Sequence, residues 1–534
     1  MIGEFAKVAT RGDLNADVVI IGGGAAGIAM ARSLAEGRQK VIVLEAGELD
    51  YSDTCQQFAK GTTSGIPYFA LDEARYRMLG GSTFRWGART APLKPLDYAE
   101  RDWVKPSGWP IAPAELAPFY EQVYSLVDIQ MPFGFDDDVW DFLATKPEKF
   151  DPALFQYNGF QFGKNLLFGS VYRDFLKRAD SIEVLLGAQV LNIATDAAGR
   201  HVDHLEVGHI GGARAKVRGR HYVLAAGGIE NPRLLLLSDR VNPSGLANSS
   251  DTVGRYFMEH PTVSGGRILS DRLQHIVDIF SPGLIAGRLV EVALSLTPEE
   301  QRAERLLSAY ARAAVVVDEG DATQAMRELL NNLRHRRLPY QLSWYQKNKW
   351  LTQRLATVMR DPFSIVSNTV RHALGQPKRF RLSSVYLELR TEQEPNPDSR
   401  VTLGQSLDAF GQRQAHLHWE LTEQDKRTMR VLTQKVDGEL RRLGLGHLEM
   451  APWLATDDLE FGPDLVGGHH HIGTTRMSAD PAFGVVDANC RTHDIDNLFI
   501  AGSSVFPTAG FVNPTATLLA LSLRLADHLT QLPD

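Results

Sequence analysis

The N-terminal segment up to residue 45 constrains the fold of this chain more than any other part of the sequence. An apolar, β-branched run, DVVII, leads into the pattern Gly22-x-Gly24-x-x-Gly27 and a helical stretch, and a second apolar run, KVIVLE, ends at Glu45. In such a unit the first glycine permits a tight turn, the second lets backbone amides approach a pyrophosphate, and the third lets the helix pack closely on the sheet. The spacing predicts a parallel βαβ unit that binds a dinucleotide, with Glu45 accepting a hydrogen bond from a ribose hydroxyl; a plain strand–turn–helix is the alternative.

Length and composition narrow the class of protein. The 534 residues are enough for two substantial or interleaved domains, and a net charge of −7 disfavours a dedicated nucleic-acid binder. Only Cys55 and Cys490 are present, so neither a disulfide framework nor a cysteine metal site is predicted. The N-terminus lacks an apolar signal core, and no apolar run is long enough to cross a bilayer. We therefore expect a cytoplasmic protein without a transmembrane segment; export with a partner that carries the signal stays open.

Two later segments extend the α/β pattern. Residues 222–226 read as a buried strand, followed by a Gly227-Gly228 turn and a helix from about Pro232. Near the C-terminus, NLFIAG predicts a strand that ends at Gly502, where further backbone amides can meet the ligand. The nucleotide-binding domain is therefore expected to be assembled from segments that are far apart in sequence.

Strands of a second kind show alternating apolar and polar residues. The segments SSVYLELR (383–390) and AHLHWEL (415–421) both alternate with a period of two, which is typical of strands covered on one face. They predict an antiparallel sheet in a second domain. A helix over 423–443 follows, opened by Thr422 with Asp425 in the Glu position of a capping box.

An insertion over about 297–378 differs from both domains. Thr297-Pro298-Glu299-Glu300 is a capping box with proline at the first helical position, and Asp321 is placed to open another helix. From 321 to 380, eleven Lys and Arg residues stand against three Asp and Glu residues. The segment is either a cap for an anionic or amphipathic substrate, a membrane surface or a partner, or a solvated helical insertion. We favour the second interpretation, since charge runs usually face water.

Several motifs, in this order along nearly the whole chain, resemble the glucose–methanol–choline (GMC) oxidoreductases. They are GGGAAG with Glu45, LGGSTFRWGART (79–90), GRYFMEHP (254–261), EQEPNPDSRVTL (392–403), and a C-terminal block that begins GHHHIGTTRM at 468. The resemblance implies an α/β fold: a Rossmann-like FAD-binding domain of discontinuous segments and a substrate domain with an antiparallel sheet and the helical insertion. The expected boundaries are 1–100, 165–265 and 455–534 for the first domain, and 101–164 and 266–454 for the second.

The resemblance also implies that the protein oxidises a C–OH group to a carbonyl. The family's catalytic histidine lies three residues before a Gly-Thr pair, with a His or Asn about forty residues later, which selects His470 and Asn513. A neutral imidazole suits the base that removes the hydroxyl proton while a hydride moves to the flavin. A His–Asn pair resembles the pyranose-, fructose- and sterol-oxidising members, so a sugar, a glycoside or a related metabolite is the expected substrate. From the residues alone, Asn513 is equally well explained as a helix N-cap.

Further assignments follow from the same resemblance. Arg85 stands where some relatives carry a histidine bonded to flavin, so FAD is expected to be non-covalent, and Ala501 replaces a frequent Asp. A metal at the histidine run 469–471 is not expected, because consecutive side chains cannot all face one ion. Arg476 is expected to be structural rather than to bind an anionic substrate. The residues implied to contact FAD are Gly22, Gly24, Ala25, Ala26, Gly27, Glu45, Ala46, Arg77, Gly80, Gly81, Ser82, Arg85, Trp86, Gly87, Val190, Ala226, Gly227, Gly502, Ser503, Asn513, Pro514 and Thr515.

Two other functions stay open at the level of the sequence. Some proteins of this fold keep FAD without using its redox chemistry, so a non-redox lyase is one alternative. The other is a flavoprotein subunit of a multi-subunit dehydrogenase. The expected partners are a small-molecule alcohol and an electron acceptor, oxygen or another, with oligomerisation possible and no nucleic acid.

Overall fold

A computed structural model describes residues 1–37, 39–129, 150–280, 283–285, 288–318, 320–335, 344–374, 376 and 379–532. The strands are β1 (Ile2–Glu4), β2 (Leu14–Ile21), β3 (Val41–Glu45), β4 (Gly61–Gly65), β5 (Arg89–Thr90), β6 (Phe155–Phe162), β7 (Ile182–Leu186), β8 (Gln189–Thr195), β9 (Val202–Gly208), β10 (Arg214–Leu224), β11 (Thr262–Leu269), β12 (Gly283–Ile285), β13 (Arg288–Leu296), β14 (Ala309–Val317), β15 (Leu382–Thr391), β16 (Arg400–Leu407), β17 (Arg413–Trp419), β18 (His447–Met450) and β19 (Leu498–Ile500). The helices are α1 (Phe5–Ala9), α2 (Ala25–Leu34), α3 (Asp53–Gln56), α4 (Leu71–Ala74), α5 (Pro95–Tyr98), α6 (Pro113–Leu126), α7 (Phe168–Val171), α8 (Arg173–Arg178), α9 (Gly227–Leu237), α10 (Leu273–Phe280), α11 (Pro298–Glu304), α12 (Ala322–His335), α13 (Trp344–Arg360), α14 (Pro362–Ala373), α15 (Glu423–Arg442) and α16 (Thr515–Gln531). In these parts of the chain, no helix is both long and apolar enough to cross a membrane.

The first sheet confirms the predicted α/β core. Its order is β1-β7-β3-β2-β10-β9-β8, with β19 pairing β10. The strands from β1 to β10 in this order are parallel, as is β19, whereas β9 and β8 form an antiparallel edge. Val18–Ile20 and Val41–Leu44 are almost fully buried, as expected for parallel strands covered on both faces. In register, Ile21 pairs with Leu44 and Leu224, so these strands end side by side at one edge.

The second sheet is the predicted antiparallel one. Its order is β18-β11-β15-β14-β13-β6-β5, with β12 pairing β13. Apolar residues of β15, such as Val385 and Leu389, are buried in a second hydrophobic core. The predicted domain boundaries remain a prediction. Two strands of this second sheet do not follow them: β11 crosses the boundary at residue 265, and β5 lies in segment 1–100, which was assigned to the FAD-binding domain.

One predicted strand lies in a different sheet. β17 was expected to join β15, but it pairs with β16 and, in parallel, with β4 in a third, three-stranded sheet. Alternation correctly predicted that one face of β17 is covered, since Leu417 and Trp419 are fully buried. The pattern carries no information on which strand becomes the neighbour.

Helix α9 begins earlier than predicted. It starts at Gly227 rather than near Pro232, so the proline lies inside the helix. An internal proline leaves the carbonyl of the residue four positions earlier without its helical donor. Here that carbonyl belongs to Gly228, and it accepts a hydrogen bond from Thr474 Oγ1 at 2.6 Å. A side chain from the C-terminal block thus compensates for the proline.

The insertion is only partly helical. The predicted N-caps are confirmed, since Thr297 Oγ1 accepts from the Glu300 amide at 3.2 Å and Asp321 Oδ1 from the Gln324 amide at 2.8 Å. The expectation of a helical insertion is wrong for β14, a strand of the second sheet. Helices α13 and α14 leave large apolar side chains exposed, and Met359 is 81% exposed. The basic residues at 336, 337 and 378 lie outside the described residues.

Candidate active site

A cavity of about 470 Å³ extends from the carboxyl edge of the first sheet to the second sheet. It brings together most of the predicted site residues. Those that line it are Gly22, Gly24, Ala25, Ala26, Glu45, Ala46, Arg77, Gly81, Ser82, Arg85, Trp86, Gly87, Val190, Ala226, Gly227, His470, Gly502, Ser503, Asn513, Pro514 and Thr515. Gly27 and Gly80 do not line the cavity; the amide of Gly80 donates to the carbonyl oxygen of Gly23 at 2.8 Å.

The predicted turn has the geometry of a ligand cradle. Gly22 has a φ of +113°, which glycine adopts without strain. A side chain at Gly27 would meet the carbonyl oxygen of Gly22 at 2.0 Å, so this glycine holds helix and turn together rather than touching a ligand. A Cβ at Gly24, by contrast, meets no protein atom within 4 Å and borders open cavity. The backbone amides at the start of α2 are therefore free to approach an anionic group.

Glu45 lies at the end of β3, and its carboxylate already accepts hydrogen bonds from the protein backbone. Its carboxylate accepts hydrogen bonds from the backbone amides of Gly23 at 2.8 Å and Gly47 at 2.7 Å. It is 6% exposed and lines the cavity, and burial raises its pKa. Each oxygen keeps a further lone pair, so accepting from a ribose hydroxyl stays compatible with this geometry.

Buried arginines also border the cavity. Arg75 and Arg77 both lie within 2.9 Å of the Glu230 carboxylate, which Arg233 also contacts at 3.2 Å. These charges hold the pKa of Glu230 well below its usual value, against burial, which raises it. Two nitrogens of Arg75, Nε and Nη1, are buried without a hydrogen-bond partner among the described residues. Arg75 and Arg77 line the cavity and share the carboxylate of Glu230, and the positive charge that remains fits a dinucleotide cofactor with its charged pyrophosphate.

The predicted catalytic residues meet at the other end of the cavity. The side-chain nitrogen Nδ2 of Asn513 lies 3.2 Å from Nε2 of His470. The oxygen Oδ1 of the same amide accepts from Nη1 of Arg89 at 3.0 Å. Because a guanidinium can only donate, this contact fixes which end of the amide faces His470. Asn513 therefore donates to His470 Nε2, which must carry a lone pair.

A second histidine fixes the same assignment from the opposite side. Nε2 of His260 lies 2.9 Å from the carbonyl oxygen of Gly510, which can only accept, so this nitrogen carries hydrogen. Burial lowers the pKa of His260 to about 4, so the ring is neutral at pH 7 and its Nδ1 is unprotonated. His260 Nδ1 lies 2.7 Å from Nδ1 of His470, which must therefore donate. Both ends of the hydrogen-bond chain leave the lone pair of His470 on Nε2, facing the cavity.

Glu259 shapes the loop that carries His470. Its buried carboxylate accepts from the backbone amides of Gly468 at 2.8 Å, His470 at 3.0 Å and His260 at 3.0 Å, and from the Tyr68 hydroxyl. Burial raises the pKa of Glu259 to about 7, although these donors oppose the shift. The fourfold attachment fixes both histidine backbones relative to each other.

The electrostatics of His470 favour its neutral form. Burial is the largest cause that holds its pKa well below the usual value, and the charges of its neighbours, Arg390 among them, act in the same direction. A neutral imidazole with a lone pair on Nε2 can take a proton from a hydroxyl group. The arrangement can therefore perform base catalysis on an alcohol.

Other predicted residues have simpler surroundings. His469 has a φ of +58° and stacks on Phe69 with ring centroids 3.9 Å apart, and His471 lines the cavity beside it. Arg476 is buried away from the cavity, with its guanidinium 4.8 Å from the Tyr256 ring, so its predicted structural role fits. Within the described parts of the chain, no group of His, Cys, Asp or Glu side chains is arranged to hold a metal ion.

The residues that sequence reasoning missed are those that support the pair. They are Arg89, Glu259, His260 and Arg390, together with Arg75 and Glu230 at the cofactor end. His260 and Glu259 lie in a motif that carried the family resemblance, GRYFMEHP, which was the available signal. Arg89 lies in the motif LGGSTFRWGART in the same way.

The family comparisons agree with this architecture. Residues 17–244 match the family described as FAD dependent oxidoreductase, and residues 395–522 match the family described as GMC oxidoreductase. The chain thus combines an FAD-dependent oxidoreductase domain with a GMC oxidoreductase C-terminal domain. The predicted enzyme class and FAD as its cofactor are thereby confirmed, as is the resemblance drawn from the motifs.

Similar proteins span the whole chain at low identity. The fructose dehydrogenase large subunit of Gluconobacter japonicus is 24% identical over 97% of this chain and 98% of its own. Paromamine 6'-oxidase of Streptomyces fradiae is 24% identical over 96% of this chain and 90% of its own. Among solved structures, pyridoxine 4-oxidase from Mesorbium loti superimposes with a TM-score of 0.54 at 18% identity, covering 96% of this chain and 98% of that one. This last likeness concerns the fold.

Proposed function

We propose that this FAD-dependent oxidoreductase oxidises a hydroxyl group of a sugar, a glycoside or a related metabolite, with His470 as the base and Asn513 as its partner. The observation that carries the proposal is the hydrogen-bond chain from the Gly510 carbonyl through His260 and His470 to Asn513. It presents one unprotonated imidazole nitrogen to the cavity that also contains the glycine cradle. FAD, when bound, supplies the acceptor for the hydride that leaves the alcohol carbon.

The protein's own residues account for the proton. The substrate hydroxyl displaces the amide of Asn513 from Nε2 of His470 and donates to that nitrogen, while the amide nitrogen of Asn513 donates to the substrate oxygen instead. Arg89 keeps that amide in the required orientation. As Nε2 takes the proton, the imidazolium that forms still donates from Nδ1 to His260, whose neutral ring is held as an acceptor by the Gly510 carbonyl. His260 thus acts as a positioning residue.

Similar proteins support the substrate class. Besides the fructose dehydrogenase and paromamine oxidase, a pyranose 2-oxidase of Tricholoma matsutake is 30% identical over 28% of this chain. The acceptor for the electrons is oxygen or another acceptor, and the location that we propose is the cytoplasm. We also propose that FAD is bound non-covalently, because Arg85 lines the cavity at the position where some relatives carry a histidine bonded to flavin. Acid precipitation should then leave all flavin in the supernatant. Flavin in the pellet would contradict non-covalent binding.

Replacement of the base tests the proposal. We expect His470→Ala to lower the rate of anaerobic flavin reduction by an alcohol substrate by about 10²–10⁴, which is typical of a lost general base. His471→Ala is the matched control, because His471 neighbours the base but its side chain makes no hydrogen bond to Asn513 or His260. Flavin content and thermal stability are measured for both variants. A His470→Ala rate within about tenfold of the wild-type rate would rule out the assignment.

A subunit of a larger dehydrogenase is the second candidate function. The Gluconobacter relative is named a large subunit, and helices α13 and α14 expose apolar residues such as Met359 and Phe363, each at 81%. Contiguous exposed apolar surface is typical of interaction sites. Co-purification of a second chain from the native host, with activity that depends on it, would favour this candidate.

A further inference from the structure

Arg390 has two terminal guanidinium nitrogens without a hydrogen-bond partner among the described residues, and its guanidinium carbon lies 5.9 Å from the centroid of the Tyr310 ring. It lies on β15 opposite Thr262 and Tyr310, and it lines the cavity together with His470 and Asn513. Its Nε donates to Thr262 Oγ1 at 3.1 Å. The terminal nitrogens Nη1 and Nη2 make no hydrogen bond to any of the described residues, and no described carboxylate lies within 4 Å. The free end is therefore available to a ligand.

The other charges on this face of the second sheet neutralise one another. Glu291 lies 3.1 Å from Nε of Arg89 and also pairs with Arg312. Glu388 lies 2.6 Å from Nε of Arg312. Arg390 adds a third guanidinium group, whose charge also acts on Glu291, so this face carries one positive charge in excess of its carboxylates. An anion in the cavity would balance that excess charge.

We propose that the substrate of this enzyme carries an anionic group, a carboxylate or a phosphate, and that Arg390 binds it while His470 faces the hydroxyl to be oxidised. This proposal rests on the proposed function, and it narrows the substrate to a sugar acid, a sugar phosphate or a metabolite of similar charge. A guanidinium with two free nitrogens matches either oxyanion through paired hydrogen bonds. Arg390 is then a specificity-determining residue.

Binding to the FAD-loaded enzyme tests the proposal without turnover. The dissociation constants of D-glucuronate, D-glucose 6-phosphate, inorganic phosphate and acetate are measured from changes in the flavin spectrum, with D-glucose as the neutral reference. The variants are Arg390→Met, which keeps the aliphatic stem, and Arg390→Lys, which keeps the charge. We expect at least one anion to bind at least tenfold more tightly than D-glucose, and Arg390→Met to weaken it by about 10- to 100-fold, the usual range for a charged hydrogen bond.

The arms of this experiment separate the alternatives. The preferred oxyanion distinguishes a carboxylate from a phosphate substrate, and Arg390→Lys should retain part of the preference. Equal binding of anions and D-glucose, absence of any anion binding, or an equal loss of both in Arg390→Met would overturn the proposal. A flavin spectrum already altered in the ligand-free Met variant would assign Arg390 to the cofactor instead. If anion binding is unchanged in His470→Ala and no alcohol reduces the flavin of the wild-type enzyme, the proposed function is contradicted but the anion site is not.

Discussion

The two ends of the cavity are built in different ways. At the cofactor end, Gly22, Gly24 and Gly27 belong to one local turn, and the site depends on space and on backbone amides. At the catalytic end, His260 and His470 are 210 residues apart in sequence, and Asn513 lies 43 residues beyond His470. That end depends on the direction of each hydrogen bond. Changes in size should therefore damage the first end, and changes in donor or acceptor character should damage the second.

The largest expected effect is at Gly27. An added methyl group would meet the Gly22 oxygen at 2.0 Å, so Gly27→Ala should destabilise the fold by about 1–3 kcal/mol or more and abolish FAD retention. Gly24→Ala is the matched variant, because its methyl group meets only cavity. It should unfold at the wild-type temperature as apoprotein and bind FAD more weakly. Equal melting temperatures of the two apoproteins would contradict the division of roles.

The next effect concerns His260. His260→Leu leaves the Nδ1 hydrogen of His470 unpaired, so we expect flavin reduction to slow by about 100-fold, the upper range for a buried unsatisfied donor. His260→Asn keeps an acceptor near Nδ1 and should lose only about tenfold. Stopped-flow reduction over a pH series measures both variants. Two variants with the same rate and pH profile would mean that His260 only fills space.

A smaller effect is expected at Glu259. Glu259→Gln turns one acceptor oxygen into a donor that faces backbone amides, so we expect about tenfold slower reduction together with a lower melting temperature. Tyr68→Phe removes a single hydrogen bond from the same carboxylate and should change both quantities less. The test compares the two variants. A greater loss of reduction rate in Tyr68→Phe than in Glu259→Gln would show that the loop is not held through Glu259.

The smallest change is expected in a pH series between pH 8 and 6. Burial holds the pKa of His470 well below 6.5, so the base stays unprotonated as the pH falls through that value. Burial raises the pKa of Glu259 to about 7, so this group titrates in the same range, and the series is run on Glu259→Gln, which lacks the carboxyl group. In this variant the rate constant for flavin reduction should stay flat over the range and decline only in more acidic solution. An acidic limb centred near 6.5 would show that His470 has an ordinary imidazole pKa or that another group is the base.

The different construction of the two ends of the cavity also explains which site residues could be predicted from the sequence. The glycine turn and Glu45 follow from local spacing, because each contact lies within one βαβ unit. His470 and Asn513 were predicted only through family resemblance, since nothing in their spacing shows that the chain brings them together. Arg89 and His260 escaped prediction although they lie within recognised motifs, because their partners are 424 and 210 residues away.

Errors in the predicted fold have the same origin. Pro232 was read as the first position of α9, but Thr474 satisfies the carbonyl that the proline leaves without a donor. β14 was assigned to a helical insertion because helix caps flank it on both sides. β17 was given the wrong sheet, since alternation indicates a covered face and not a neighbour. In each case a contact between distant segments decided the outcome.

The most direct test of the account is the protonation of the His470 ring in the FAD-loaded enzyme at neutral pH. Nitrogen-15 NMR of protein labelled at histidine distinguishes protonated from unprotonated ring nitrogens, and the spectrum of His470→Asn identifies the signals. We predict hydrogen on Nδ1 and a lone pair on Nε2, with the opposite arrangement on His260. A His470 ring that is doubly protonated, or that carries its hydrogen on Nε2, would contradict the account.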